Sequence, residues 1–326
     1  MKSVPTAYYL GIDISKDFFD VSLYSNGKYR QASFKNNQNG FRQLRRWLKK
    51  GGVRSLHACM EATGRYGEAL ALFLHEAGYT VSVVNPTRIK AYGSSQLRRN
   101  KNDRQDARLI AHFCATQQPP IWQPPTAEQR TLRDLVRHLQ ALKEMRQQQI
   151  NRLKAGQQAR EVESALEAHI AFLEQQIQQI EQQIEAHIEA HPPLKEQKEL
   201  LLSIGGIGDL TAATILAEIG ELTAFESASQ LAAYLGLTPE NRSSGKSVRG
   251  RARMSKKGNR RMRKALYFPA IVGMRHNPIL KAFAERLLSR GKAKMVVIGA
   301  VMRKMAHLIY GVLTHRKPFD LAYGAT

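Results

Sequence analysis

A chain of 326 residues carries 50 lysines and arginines against 27 acids, a formal net charge of +23, and 43% of its residues are hydrophobic. This length is enough for two domains with cores of their own, and the cationic excess indicates a polyanionic partner rather than a membrane. Two cysteines, Cys59 and Cys114, are too few for a disulfide framework or a four-cysteine zinc site, and they indicate a reducing, cytoplasmic compartment.

Residues 1–120 alternate predicted strands and helices, as in an α/β domain. Asn26-Gly27 stands between two strands and predicts a hairpin, because both turn positions tolerate positive φ. In chain order we predict strands at 8–14, 19–24 and 29–34, a helix at 40–50, a strand at 55–60, a helix at 66–77, a strand at 79–84 and a helix at 104–114. The proline-rich stretch 118–126 predicts a domain boundary.

Residues 121–194 form a predicted helical linker. Its second half has apolar residues at alternating spacings of four and three, which is a heptad seam: Leu166, Ile170, Leu173, Ile177, Ile180 and Ile184. The seam favours a coiled coil, within the chain or between subunits, over one helix packed on a globular body, which would need a wider apolar stripe.

Residues 195–326 are predicted to be mainly helical and basic. No acid occurs from Asn241 to Ala284, and eleven lysines and arginines fall between Arg242 and Lys264. A surface that serves only solubility mixes the two signs, so this region is the predicted polyanion-binding face. The apolar stretch 296–313 contains Arg303 and Lys304 and predicts a core helix rather than a membrane span.

Four acids fall at the ends of the elements predicted for the first domain. Asp13 ends the first strand, Glu61 follows the fourth, and Asp103 and Asp106 begin the last helix on one face. In this strand order the first and fourth strands are expected to be neighbours in the middle of the sheet. Clustered carboxylates repel one another unless a cation neutralises them, and their hard oxygens suit Mg²⁺ or Mn²⁺. Two such ions can clamp the oxygens of a phosphoryl transfer. Taken singly, the acids also fit first-turn helix charges, a strand-end turn or a surface site.

The segments Gly11-Ile12-Asp13, Glu61-Ala62-Thr63-Gly64 and 101–107 (Lys-Asn-Asp-Arg-Gln-Asp-Ala) resemble the DEDD insertion-sequence transposases related to the Piv-type DNA invertase. This resemblance implies an RNase H-like fold in its RuvC-like form for residues 1–120. It also implies, after the coiled-coil linker, a mainly α transposase domain with a helix-hairpin-helix-like element at 195–326.

The C-terminal part resembles the second domain of the same family, from Ala233-Tyr234-Leu235-Gly236 through Ser243-Ser244-Gly245 to 254–266. The family's nucleophile is a serine of a Ser-Gly loop, which implies Ser244, with Ser243 as the neighbouring alternative. Residues 204–208 resemble the hairpin of a helix-hairpin-helix motif, and a plain helix-helix turn fits them equally well. The residues predicted to bind nucleic acid are Lys101, Arg104, Gly206, Gly208, Arg242, Lys246, Arg249, Arg251, Lys256, Lys257, Arg260 and Arg261.

Combined, the two sites predict a prokaryotic, nucleoid-associated recombinase that acts on donor and target DNA through a 5′-phosphoserine intermediate. Four active sites are needed to cut two duplexes, so a dimer or tetramer is expected. The resemblance further implies a structured bridge RNA as guide. Two alternatives remain open: a RuvC-like endonuclease that uses water, and a non-catalytic architectural DNA-binding protein.

Overall fold

A computed structural model describes residues 8–62, 64–96, 103–156, 159–220, 222–240, 243–244, 248–249, 253–255 and 257–320. The chain divides into two compact units, Met1–Pro124 and Pro125–Thr326. The division falls inside the predicted proline-rich boundary. The assignment of separate roles to residues 1–120, 121–194 and 195–326 stays a prediction.

The first unit contains a mixed five-stranded sheet in the order β3-β2-β1-β4-β5. Strands β1 to β3 are antiparallel neighbours, whereas β4 and β5 continue the sheet parallel to β1. The prediction that the first and fourth strands are neighbours is therefore confirmed. The elements are β1 (Tyr9–Ile14), β2 (Phe18–Ser25), β3 (Lys28–Lys35), α1 (Gln38–Lys50), β4 (His57–Glu61), α2 (Glu68–Glu76), β5 (Thr80–Val84), α3 (Pro86–Ser95) and α4 (Asp103–Gln117).

Local sequence explains most of these boundaries. Asn26 and Gly27 adopt φ values of 48° and 78°, as the predicted hairpin turn requires. Helix α3 is an addition to the predicted elements. Pro86, which ends the preceding strand in the sequence pattern, also occupies the first turn of a helix, where a missing N–H costs nothing. The Asn85 side chain caps that helix by accepting from the Thr87 backbone N–H at 2.8 Å.

The two faces of the sheet pack against different helices. On one face, Leu10, Ile12 and Met60 join a core that includes buried residues of α1 and α2. On the other face, Cys59 lies in a smaller core with Ile110 and Cys114 of α4. Because side chains alternate along a strand, residues two apart from Cys59 face α4 as well.

Helix α4 crosses β1 in backbone contact at Gly11. A Cβ atom at this position would lie 2.1 Å from both the Ala107 carbonyl oxygen and the Ala111 nitrogen, so only glycine fits. Further along α4, the Cys114 thiol reaches the carbonyl of His57, the first residue of β4, at 3.6 Å. Helix α4 therefore runs from the carboxyl ends of β1 and β4 back towards their starts.

Gly11→Ala is expected to destabilise the first unit by about 3 kcal/mol, because the added methyl group displaces the backbone of α4. Urea unfolding of the full chain would measure the loss. Gly311→Ala is a suitable control, since nothing lies within 4 Å of a Cβ at that helical position. Equal midpoints for both variants would contradict the close approach of α4 to β1.

The second unit is helical around one continuous core. Its helices are α5 (Ala127–Ala155), α6 (Arg160–Glu189), α7 (Pro192–Leu202), α8 (Asp209–Ile219), α9 (Ala228–Tyr234), α10 (Arg260–His276), α11 (Pro278–Ser289) and α12 (Lys294–His315). Two short antiparallel ladders lie between α9 and α10: β6 (Pro239–Glu240) with β9 (Arg253–Met254), and β7 (Ser243–Ser244) with β8 (Val248–Arg249).

The predicted heptad seam is used inside this unit. Leu173, Ile177 and Ile184 of α6 are buried in the same core as Leu132 and Leu139 of α5, and the two helices pack against each other. This packing matches the intramolecular alternative. A role of these helices in assembly between subunits stays a prediction.

By its length and composition, helix α12 could cross a membrane. Among the residues that the structure describes, it is the single helix with this property. Its residues Val297, Val301, Met305 and Ile309 are fully buried in the core of the second unit. The same composition is typical of the central helix of a helical domain, which is the predicted role of this stretch.

Candidate active site and nucleic-acid interface

Asp13 and Glu61 lie side by side at the carboxyl ends of neighbouring strands. The β1–β4 register pairs Gly11 with Cys59 and Ile12 with Met60, so the two acids occupy the next positions of the parallel pair. Each is two residues beyond Gly11 or Cys59 and faces α4 by alternation. Both residues are half-buried. The structure therefore places two of the four predicted acids together at one edge of the sheet.

The first turn of α4 lies at this same edge, because α4 starts there and runs back along β1. Asp106 is half-buried and directly precedes Ala107, the residue in contact with Gly11. Asp103 is the first residue of α4, and its side chain, like that of Arg104, lies outside the described part of the structure, as does all of Lys101. The positive end of the helix dipole favours acids at this position.

The acids have the donor chemistry of a site for a hard divalent cation. Among the residues that the structure describes, no three His, Cys, Asp or Glu side chains form a group that could hold a metal ion. The Asp103 carboxylate is not one of the described side chains. Asp13, Glu61 and Asp106 offer only carboxylate oxygens, which suit Mg²⁺ or Mn²⁺ and not the softer metals. The residues thus fit such an ion by the type of their donor atoms.

Two thiols lie behind the acids in the α4 core. A hydrogen bond with Cys114, together with burial, raises the pKa of the Cys59 thiol well above its ordinary value. A thiol that stays protonated is a poor nucleophile. Both thiols are fully buried in this core, so they are packing residues of the first unit.

The predicted nucleophile lies on one of the short ladders in the second unit. Ser243 pairs with Arg249 and Ser244 pairs with Val248, so the two serines and Arg249 belong to one small hairpin. The side chains of these residues lie outside the described part of the structure. Arg242, Lys246, Arg251 and Lys256 lie wholly outside it, so their predicted contacts with nucleic acid stay predictions.

The start of α10 is cationic and exposed. Arg260 and Arg261 occupy its first turn and are exposed, although positive charges are unfavourable at a helix N-terminus. The placement suits an anion, which both the helix dipole and the two guanidinium groups attract. Lys257 is also exposed, and its ammonium group lies 3.4 Å from the Glu240 carboxylate, a solvent-screened pair. Binding of phosphate by Lys257, Arg260 and Arg261 stays a prediction.

The start of α10 is held by a buried ionic network that the sequence analysis does not identify. The side chain of Glu218 on α8 is only 2% exposed. It accepts two hydrogen bonds from the Arg137 guanidinium of α5, at 2.7 and 3.0 Å, and one from the Asn259 amide at 2.9 Å. Asn259 in turn caps α10 by accepting from the backbone N–H groups of Arg261 and Met262. The network fixes the direction in which α10 presents its arginines.

Opposing effects set the charge state of Glu218. Burial alone would raise the pKa of its carboxyl, but the hydrogen bonds from Arg137 and Asn259 outweigh burial and hold the pKa below its ordinary value. Glu218 is therefore ionised in the folded protein. No local sequence motif predicts this pair, since 81 residues separate the two partners.

The glycine turn before α8 is used for packing. A Cβ at Gly206 would lie 2.7 Å from the Pro269 carbonyl of α10, and the residue has a φ of +106°. Gly208 is open and precedes α8, but the first residue of that helix is Asp209, whose carboxylate pairs with Lys198 at 2.9 Å. A carboxylate at the helix start repels phosphate, which favours the plain helix-helix turn. Nucleic-acid binding by Gly206 and Gly208 stays a prediction.

Comparison with known families defines the class of protein as a transposase. Residues 198–285 match the family described as "Transposase IS116/IS110/IS902 family", and residues 10–156 match a family described as "Transposase", of the DEDD type named after IS110. The first match covers α8 to α10, and the second covers all four acids.

The chain belongs to the IS110 family of transposases. It is 35% identical over 317 residues to the pilin gene-inverting protein of Moraxella bovis, an alignment that covers 96% of this chain and 97% of the relative. The pilin gene-inverting protein of Moraxella lacunata matches with the same identity and coverage. The transposase for the insertion sequence element IS1111A of Coxiella burnetii is 26% identical over 95% of this chain and 90% of its own length.

Proposed function

We propose that this chain is a DNA recombinase that cuts and rejoins strands through a 5′-phosphoserine intermediate. The carrying observation is the meeting of Asp13, Glu61 and the start of α4 at one sheet edge. The strand order and the helix on that face support an RNase H-like domain in the RuvC-like form. In this proposal Asp13, Glu61, Asp103 and Asp106 hold Mg²⁺ or Mn²⁺, and Ser244 is the nucleophile.

The chemistry follows from a serine in place of water. The Ser244 oxygen attacks the phosphorus, the bond from phosphorus to the 3′ oxygen breaks, and the leaving oxygen takes up a proton to become a 3′-hydroxyl. The serine proton goes to solvent or a nearby base. A divalent cation bound by the carboxylates would stabilise the charge that develops on the phosphate oxygens. Arg260 and Arg261 are suited to hold the DNA backbone.

The rejoining step is the reverse reaction on a new strand. A 3′-hydroxyl from a different duplex attacks the phosphoserine, a new phosphodiester forms, and the serine oxygen is released and protonated. One ester replaces another, so no ATP is needed. Two duplexes cut on both strands require four such sites, which supports a tetramer or a pair of dimers. A guiding bridge RNA is part of the proposal through the family resemblance.

Rejoining is favoured over simple cleavage by the names of two relatives. The Moraxella proteins are called gene-inverting proteins, and inverting a gene requires each cut end to be joined again. A RuvC-like endonuclease that uses water leaves the cut DNA ends unjoined, and an architectural DNA-binding protein does not cut DNA. Donor and target DNA are the proposed substrates, which the names of the gene-inverting and transposase relatives support, and the nucleoid is the proposed place of action.

Ser244→Ala is expected to abolish the covalent protein–DNA species, because the ester needs the serine oxygen. The assay incubates the full chain with supercoiled DNA carrying element ends and target, Mg²⁺ and RNA transcribed from the element's flank. Denaturing gels then separate protein-linked DNA from free DNA. Ser243→Ala is the matched control and should keep the covalent band. If Ser244→Ala still cleaves DNA and wild type gives no covalent band, the phosphoserine intermediate is excluded and the water-using endonuclease remains.

A further inference from the structure

Helix α1 presents a cationic face that none of the predicted sites includes. Arg42, Arg45, Arg46 and Lys49 are exposed on it, and Gln38–Lys50 contains no acid. Within the described residues, none of these four cations forms an ion pair. The same four residues, together with Phe73 of α2, line an open groove of about 400 Å³.

The stability of α1 does not require these charges. Phe41, Leu44 and Leu48 bury its apolar face, and the Asn37 side chain caps its first turn by accepting from the Gly40 N–H at 3.0 Å. The cations are spaced three and four residues apart, so they are neighbours on the helix surface and repel one another. A face that costs stability and lacks acidic partners in the protein indicates an anionic partner outside it.

The position of α1 relates this face to the acids. Strand β3 runs parallel to β1, so its end at Lys35 lies at the sheet edge of Asp13 and Glu61. Asn36 ties the chain there, because its side-chain amide donates to the Ser15 carbonyl at 3.0 Å. Helix α1 then begins at this edge and packs on the sheet face opposite α4. The cationic face thus leads away from the acids on the other side of the sheet.

We propose that Arg42, Arg45, Arg46 and Lys49 bind the phosphodiester backbone of a nucleic-acid strand on the sheet face opposite the acids. From residue 42 to residue 49 the helix rises about 10 Å, which is the axial length of about three nucleotides of one strand. A groove of one charge sign with an aromatic wall at Phe73 focuses the field on such a strand. Contacts of this kind position the strand and carry no sequence preference.

The expected result concerns binding, measured with the full chain. Arg42→Gln/Arg45→Gln should lower the slope of log affinity against log salt by about two, and the affinity at low salt roughly tenfold. Short duplex DNA and a structured RNA hairpin are tested separately between about 50 and 200 mM salt. A loss confined to one of them identifies that nucleic acid as the ligand, and losses for both identify a shared backbone site.

The matched control is Lys28→Gln/Arg54→Gln, which removes two exposed charges from the same unit near the opposite sheet edge. For this control, the slope of log affinity against log salt should remain close to that of wild type. Equal slopes for the α1 variant and the control, on both nucleic acids, would overturn the proposal. Urea midpoints verify that both variants fold. The proposal rests on the family's action on nucleic acid and not on the serine chemistry, so the absence of a covalent protein–DNA band from wild type would not affect it.

Discussion

Asp13→Asn and Glu61→Gln are each expected to reduce strand cleavage on the order of 10³-fold, with little change in DNA binding. Each change keeps the shape of the side chain and removes one negative oxygen from the edge where β1, β4 and α4 meet. An amide is a much weaker ligand for a hard divalent cation than a carboxylate. Cleavage of labelled supercoiled DNA over a range of Mg²⁺ concentrations would measure the loss.

The control for these variants is Glu76→Gln. Glu76 is an exposed acid at the end of α2 in the same unit, so its replacement makes the same charge change away from the site. Retained cleavage in both variants would exclude the metal-site proposal, whereas no cleavage by wild type itself would favour the architectural alternative.

Glu218→Ala is expected to destabilise the second unit by roughly 3 kcal/mol, because it leaves the Arg137 charge without its buried partner. The double variant Arg137→Met/Glu218→Leu should recover much of the loss, since an apolar pair of similar volume replaces the ionic one. Chemical unfolding of the full chain measures both. Glu226→Ala, at an exposed site, is the control. If the double variant loses as much unfolding free energy as the two single changes added together, Arg137 and Glu218 do not form a direct pair.

The same network predicts how stability depends on pH. The pKa of Glu218 is lower in the folded protein than in the unfolded chain. Its contribution is therefore fully present above the ordinary carboxyl pKa and is lost as the pH falls through the folded value. Wild type should lose stability in acid more steeply than Arg137→Met/Glu218→Leu, because the double variant has no carboxyl at position 218. If the stability of the two proteins falls in parallel as the pH is lowered, Glu218 is not a cause of the acid dependence.

Short-range patterns predicted the sheet well. The Asn26-Gly27 turn predicts the β2–β3 hairpin, and the order of strands and helices predicts β4 beside β1, so the neighbouring positions of Asp13 and Glu61 were accessible from sequence. Helix α3 was missed because the sequence pattern treats Pro86 only as the end of a strand. The two-residue ladders around Ser244 are too short to give an alternating pattern.

Long-range contacts set the limit of prediction. Nothing near Gly11 in the sequence shows that Ala107 and Ala111 touch it, yet this contact determines where α4 begins relative to the acids. The Arg137–Glu218 pair is likewise formed by two distant helices, and each residue alone resembles an ordinary surface charge. Gly206 shows the converse, because a glycine that fits a phosphate loop by motif is used to let α10 pack closely.

The segment after α4 has a consequence for the choice of expression boundaries. The Trp122 backbone N–H donates to the Val81 carbonyl at 2.7 Å, and the buried Ser82 hydroxyl donates to the Pro120 carbonyl at 2.7 Å. The segment therefore covers β5, the edge strand of the sheet. A fragment that ends before Pro120 would expose strand β5, which could then pair with another chain and cause aggregation. A recombinant fragment of the first unit should thus extend to Pro124.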